Sequence, residues 1–321
     1  MIYSLCHSES RMELEASDAA LVKQCSHQAR HGTGPVILYL ERFRMEANEI
    51  NYLYRPEFGN EADIARLIEQ YRVYVQVVKL FSDVFHPNGD ETALDIGCGP
   101  GSWALDVAFK YQDMSIIGLD IDESAVSYAM MRAMTEHLEN VSFEVHDATQ
   151  RLPFGDESVD YINVSLTNSF LLKEQWPRLF AECCRILRPG GWLRSIEWFL
   201  NQSNSPAMQR GTRLLNQAFE KDGRHYLELA PVLRPLLNKA GFVATPLSVH
   251  AVDFSEDSAA HQPLCEDIYV GTHLALPFIV KQGVASKEEV KQVIEEMQSD
   301  MVLPGFYGVI LLTDIAAQKP R

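Results

Sequence analysis

The run Leu94-Asp95-Ile96-Gly97-Cys98-Gly99-Pro100-Gly101 carries the densest chemical signal in the chain. An apolar stretch feeds a turn with three glycines, and a helical pattern follows. Glycine lets a backbone turn tightly and lets a ligand lie close to it, while the first N–H groups of the next helix stay free for polar partners. A nucleotide-like ligand over this turn is the expectation. The dinucleotide fingerprint calls for a last glycine or alanine where Ser102 stands, so the match to a nicotinamide cofactor is imperfect. Roughly twenty residues on, Asp120 ends a second apolar stretch, where a carboxylate can accept hydrogen bonds from both ribose hydroxyls. The pair Asp147-Ala148 follows a third such stretch, and an aspartate there can accept from an adenine amino group. Asp122 is better placed than Asp120 to cap the helix that follows.

Three ligand contacts after three apolar stretches call for strands that end side by side. Residues 92–96, 115–119, 141–145, 159–164 and 192–198 read as strands alternating with helices. That alternation predicts an α/β fold, a Rossmann-like doubly wound sheet with helices on both faces. A sixth strand is expected from about 240 to 250 and a seventh from about 306 to 315. The sheet is then seven-stranded and mostly parallel, with the last strand antiparallel and sharing the edge with the sixth. Apolar residues at helical spacing predict helices over 36–54 and from 64 until His86-Pro87 breaks the pattern, and helical texture over 206–239. Residues 255–302 read as a helical insertion with an acidic amphipathic piece at 286–297. The organisation expected is a tail at 1–34, a helical cap at 35–90, a cofactor-binding domain at 91–254 and 303–321, and the insertion as a lid over the acceptor.

These three contacts, with Arg185-Ile186-Leu187-Arg188-Pro189-Gly190-Gly191 before the fifth strand, resemble the class I S-adenosylmethionine-dependent methyltransferases. The texture is similar to the ubiquinone/menaquinone-methyltransferase-like branch, and the resemblance covers Leu94 to about Trp198. It implies S-adenosyl-L-methionine as cofactor, S-adenosyl-L-homocysteine as product and a small-molecule acceptor. Residue by residue, it implies that Asp95 and the Gly97 backbone hold the methionine amino group, within a turn that includes Cys98. Gly99 and Gly101 give the cofactor room. Asp120 binds the ribose, Ile121 packs on the adenine, Asp147 and Ala148 read the adenine edge, and Ser165 faces the methionine moiety. Many relatives carry a histidine after the fourth strand; the run here is Asn163-Val164-Ser165-Leu166-Thr167-Asn168, and no such role carries over.

A sulfonium methyl is already activated, so the protein mainly aligns the acceptor and excludes water. A general base helps when the acceptor is a hydroxyl or an acidic carbon. The candidates are Glu197, near the carboxyl end of the fifth strand, and His225 and His250. Each has a plainer reading: a carboxylate paired with an arginine, or a structural histidine. Aromatic residues outside the motifs, among them Tyr52, Tyr54, Phe58, Phe170, Trp198, Phe199, Phe219, Tyr226, Tyr269 and Phe278, are candidates for an apolar pocket or for ordinary core. Arg55 or Arg72 could reach the cofactor carboxylate.

Bulk properties narrow the class. The 321 residues are 46% hydrophobic, enough for a full core, and no apolar run is long enough to span a bilayer. The N-terminus does not read as a signal peptide, and six scattered cysteines fit a reducing, cytoplasmic setting. A net charge of −16, with no basic stripe, argues against a nucleic-acid partner. Cys25, His27 and His31 lack a paired CxxC, and no metal is expected. Two other readings stay open: an NAD-dependent oxidoreductase, and a non-catalytic S-adenosylmethionine-binding or regulatory protein.

Overall fold

Strand β1, Thr92–Ile96, is buried at its last four residues, the pattern of a strand covered on both faces. It is the hub of the sheet in the computed structural model, which describes residues 61–224 and 229–321. Parallel neighbours flank it: β2 (Ser115–Asp120) on one side and β4 (Val159–Ser165) on the other. Outside these lie β3 (Val141–Val145) and β5 (Leu187–Ser203), again parallel. Then comes β8 (Gly308–Gln318), antiparallel to β5, with β6 (Val243–Ala244) and β7 (Ser248–Asp253) along its far side. The order β3-β2-β1-β4-β5-β8-β6 reverses direction between β1 and β4. Ligands of open α/β sheets bind beyond the strand ends at such a reversal.

Helices cover both faces. On one face α2 (Ser102–Lys110) and α3 (Glu123–Thr135) pack on Ala93, Ile116, Phe143 and Tyr161. The other carries α4 (Gln175–Ile186) and α6 (Leu229–Lys239), with Trp176, Phe180 and Leu233 fully buried. Each such side chain contributes roughly 1.5–3 kcal/mol by leaving water. Past the strand ends, α1 (Glu61–Tyr74), α5 (Pro206–Lys221), α7 (His261–Lys281) and α8 (Lys287–Met301) form a further layer. The acidic amphipathic piece is the start of α8: Ser286 caps it by accepting from Glu289 N, and Val290, Val293, Ile294, Met297 and Met301 are buried.

The α/β alternation stands as expected, and four details differ. The helix expected to run on to His86 stops at Tyr74; turns carry 75–85 while Phe81 still packs against Tyr161, at 4.9 Å between ring centroids. Apolar spacing there reflects burial of an irregular segment. The sixth strand is two pieces, because Pro246 lacks an N–H for the ladder; Thr245 N still donates to Ala316 O at 2.8 Å before β7 resumes. Among the described residues, eight segments therefore fill seven strand positions. The fifth strand continues well beyond Trp198, with a bulge between Trp198 and Leu200, and pairs with β8 as far as Gly308. The helical stretch 206–239 divides after Lys221, where Gly223 adopts φ +87°. The helix expected over 36–54 lies outside the described residues.

Candidate functional site

The Gly-rich turn joins β1 to α2. Gly97 N and Cys98 N both donate to Leu119 O, at 2.8 and 3.0 Å, which ties the turn to the end of β2. Gly101 sits at the N-cap of α2 with φ +77°, and a Cβ there would lie 2.7 Å from the Phe143 ring. Only glycine meets both demands. Cys98 is buried and its thiol is held well above its usual range by that burial, so it stays protonated.

Asp120 anchors the turn from the next strand. Its Oδ2 accepts from Gly99 N at 2.7 Å and its Oδ1 from Asp122 N at 2.9 Å. Asp122 in turn caps α3, accepting from Ser124 N and Ala125 N. Asp147 accepts from the N–H and hydroxyl of Thr149, at 2.9 and 2.7 Å. Burial pushes Asp147 up, but these bonds outweigh it and leave the carboxyl below its usual range. Ile121 is exposed at the strand end.

Asp95 is buried, and burial drives its carboxyl up to about 7 although Asn163 Nδ2 donates to its Oδ1 at 2.8 Å. Asp120 nearby pushes it the same way. Asn163 was not singled out in the sequence; its signal is register, since it stands opposite Asp95 across β1 and β4. Ser165 Oγ donates to Asn163 Oδ1 at 3.2 Å. The next residue, Leu166, has φ +57°, uncommon for a branched side chain, while its N donates to Ile196 O at 2.8 Å.

All ten residues expected at the cofactor except Gly101 line one cavity of about 540 Å³. Gly101 stands behind it, against Phe143. The cavity also takes in much of α1, and here Arg66, Gln70 and Tyr71 are further residues the motifs did not reveal. Arg66 Nη1 and Gln70 Nε2 both donate to Asp267 Oδ1 of α7, at 2.8 and 3.0 Å, closing α1 against the insertion. Tyr71 donates to Asp106 at 2.8 Å.

Two of the three candidate bases stand away from the cavity, and the third, His225, lies outside the described residues. Glu197 does not line the cavity: it is fully buried, with Oε1 accepting from Thr167 Oγ1 at 2.8 Å and Oε2 from Asn168 N at 2.9 Å. Burial pushes its carboxyl up to about 8. It is neither a base at the cavity nor an arginine's partner; it holds the loop after β4. His250 also stands off the cavity, on β7, with Nε2 2.9 Å from Asp314 Oδ2. Arg194 donates to the same Asp314 through Nε and Nη2, at 2.9 and 2.6 Å. The sequence pattern places these side chains on strands but not on a face. Arg72 is exposed, pairs with Glu69 and does not line the cavity. His225, Tyr226, Arg55, Tyr52, Tyr54 and Phe58 lie outside the described residues. Of the remaining aromatics, Phe170, Trp198 and Phe219 line the cavity, whereas Phe199, Tyr269 and Phe278 do not.

Comparison with known proteins agrees with this geometry. Residues 93–191 match the family described as a methyltransferase domain. The secondary metabolism regulator laeA of Aspergillus flavus is 32% identical over 221 residues, covering 60% of this chain and 56% of that protein. The chain spans 56–63% of the length of the laeA proteins that align over more than 200 residues. Methyltransferase pytC of Aspergillus terreus is 27% identical over 290 residues, covering 83% of this chain and 82% of that one. A solved structure of a methyltransferase candidate from Bacillus halodurans C-125 shares the fold, with TM-score 0.50, 17% identity, and coverage of 81% of this chain and 100% of the other. The 93–191 segment, which carries the motifs gathered at the sheet reversal, thus matches a methyltransferase domain, and the fold is shared with the Bacillus halodurans structure.

Proposed function

We propose that the protein transfers a methyl group from S-adenosylmethionine to a small-molecule acceptor by in-line displacement. The observation that carries this is the continuity of the cavity: one space runs from Asp95, Asp120 and Asp147 to Trp198, Phe219 and Leu312. A cofactor and a second molecule can therefore share it.

The residues present fit the cofactor. Asp120 accepts backbone N–H bonds from Gly99, Asp122 and Ile121, and a carboxylate has about four acceptor sites, so one is left for a ribose hydroxyl. Gly99 leaves room, since a Cβ there would meet only Leu67, at 3.9 Å. Ser102 Oγ and His146 Nε2, both on cavity-lining residues, are buried with no hydrogen-bond partner among the described residues. Polar atoms in that condition favour a polar ligand.

When bound, the cofactor supplies a methyl group activated by its sulfonium. The chain's own part is to orient and to exclude water. Asp95 offers a carboxyl to a cationic amino group, and Asn163 holds that carboxyl in place. Glu197 fixes Thr167 and Asn168, and so the floor beside Gly97, where Thr167 Cγ2 would lie 3.1 Å from an added Cβ. The α1–α7 contact acts as a lid that keeps water out. Positioning of this kind supplies much of a barrier reduction without a base.

The test is incubation of the protein with methyl-labelled S-adenosylmethionine and an organic extract of small metabolites. Label in an extractable product, absent with Asp120→Ala, is the expected result. Similarity to laeA favours a second reading, in which the protein regulates without turnover. It predicts S-adenosylhomocysteine binding with no labelled product.

A further inference from the structure

The far half of the cavity is built from residues that no cofactor motif contains. Two helices supply one side, through Met208, Thr212 and Leu215 of α5 and Ile268, Gly271 and Thr272 of α7. The extensions of β5 and β8 supply the other, through Trp198, Leu200, Asn201, Ile310 and Leu312. Gly271 stands back from its surroundings: a Cβ built on it meets nothing within 4 Å.

The charged side chains of these walls are already matched. Arg66 is bound to Asp63 and Asp267, each at 2.8 Å, and Gln70 takes the remaining reach of Asp267. Arg224 pairs with Asp222 and lies 5.7 Å from the centre of the Phe278 ring. A charged ligand entering here would lose water without gaining a counter-charge.

Asn201 breaks the apolar pattern. It sits on β5 opposite Ile310, and its Oδ1 is buried with no donor among the described residues. Thr272 differs, since its hydroxyl is spent on Ile268 O at 2.7 Å. A buried carbonyl oxygen without a partner is costly, and a bound donor removes that cost.

We propose that this half of the cavity takes an uncharged, carbon-rich acceptor whose hydroxyl or N–H group donates to Asn201, which makes Asn201 the residue that selects the acceptor. The inference rests on the methyl-transfer reading. A site built to bond a hydroxyl rejects the analogue that lacks it far more strongly than it rejects a change of size.

The experiment uses the full chain, with and without saturating S-adenosylhomocysteine, and three fluorescent probes: 2-naphthol, 2-methoxynaphthalene and 2-naphthoate. Expected is binding of 2-naphthol about tenfold or more tighter than either of the others. Asn201→Leu brings 2-naphthol to the level of 2-methoxynaphthalene and leaves S-adenosylhomocysteine affinity unchanged. Equal binding of the naphthol and its ether, tighter binding of the naphthoate, binding of none of the three, or a preference that survives Asn201→Leu overturns the assignment. Absence of S-adenosylhomocysteine binding is a separate readout and sinks the methyl-transfer reading itself.

Discussion

Asp95 and Asn163 face one another across β1 and β4, and the Asn163 amide donates to the Asp95 carboxylate at 2.8 Å with both side chains buried. The pair sits where the strand order reverses, beside the Gly-rich turn. Burial holds the Asp95 carboxyl up at about 7, so its charge varies near neutral pH. If Asp95 meets a cationic amino group, S-adenosylhomocysteine affinity rises as pH passes upward through about 7. Asn163→Leu removes the bond that favours the carboxylate, moves that midpoint upward and weakens binding about tenfold at neutral pH. Calorimetric titration from pH 5.5 to 8.5 checks both. A pH-independent affinity in the wild type is incompatible with the role given to Asp95.

In the proposed reading Asp120 has two duties, because the oxygens offered to a ribose also anchor Gly99 and Asp122. Asp120→Ala is expected to lose S-adenosylhomocysteine binding by a hundredfold or more, and to cost about 1–3 kcal/mol of stability from the two unpaired N–H groups. NAD, titrated in parallel, is expected not to bind. Retained S-adenosylhomocysteine affinity in the variant would place the ribose elsewhere.

Asp95 and Glu197 also shape stability. Burial raises both carboxyls, to about 7 and about 8, so the folded chain holds protons that the unfolded chain releases. Their contribution is present below the ordinary values of 3.8 and 4.5 and is lost as pH rises through about 7 and 8. Glu197→Gln should flatten the part of the melting-temperature profile between pH 5 and 8. An unchanged profile would mean that Glu197 is charged throughout.

Asp314 behaves in the opposite sense. Burial raises its carboxyl, but the hydrogen bonds from Arg194 outweigh burial and hold it below 3.8. Its contribution is present above that value and is lost as pH falls through the lowered one. Asp314→Ala strands the buried Arg194 and is expected to cost about 3–5 kcal/mol, read by denaturant unfolding. His250→Gln, at the rim of the same cluster, should cost about 1 kcal/mol or less and leave S-adenosylhomocysteine affinity intact. A loss of affinity in that variant would return His250 to the site.

Gly118 and Gly155 make a matched test of packing. A Cβ at Gly118 would lie 2.5 Å from the Phe143 ring, whereas one at Gly155 meets nothing within 4 Å. Gly118→Ala is expected to destabilise by about 1–3 kcal/mol and Gly155→Ala by much less. Equal melting temperatures would show that Phe143 can move aside.

Much of this protein is written locally. The glycines at 97, 99 and 101 and the pair at 147–148 follow strands, the acid at 120 closes one, and a strand–turn–helix unit needs only neighbouring residues to form. Parallel strands end on one side of a sheet, so motifs after successive strands must converge; that is why the residues expected at the cofactor meet in one half of the cavity. The rest depends on contacts between distant segments. Asn163 matters through its register with Asp95, and Asn201 through the continuation of β5 beside β8. Arg66 and Gln70 matter through Asp267, some two hundred residues away in the chain. Glu197 looked like a base because it stands at the right strand end. Alternation along a strand tells that two faces exist, but only packing decides which face meets the cavity, and the fold turned Glu197 inward to Thr167 and Asn168.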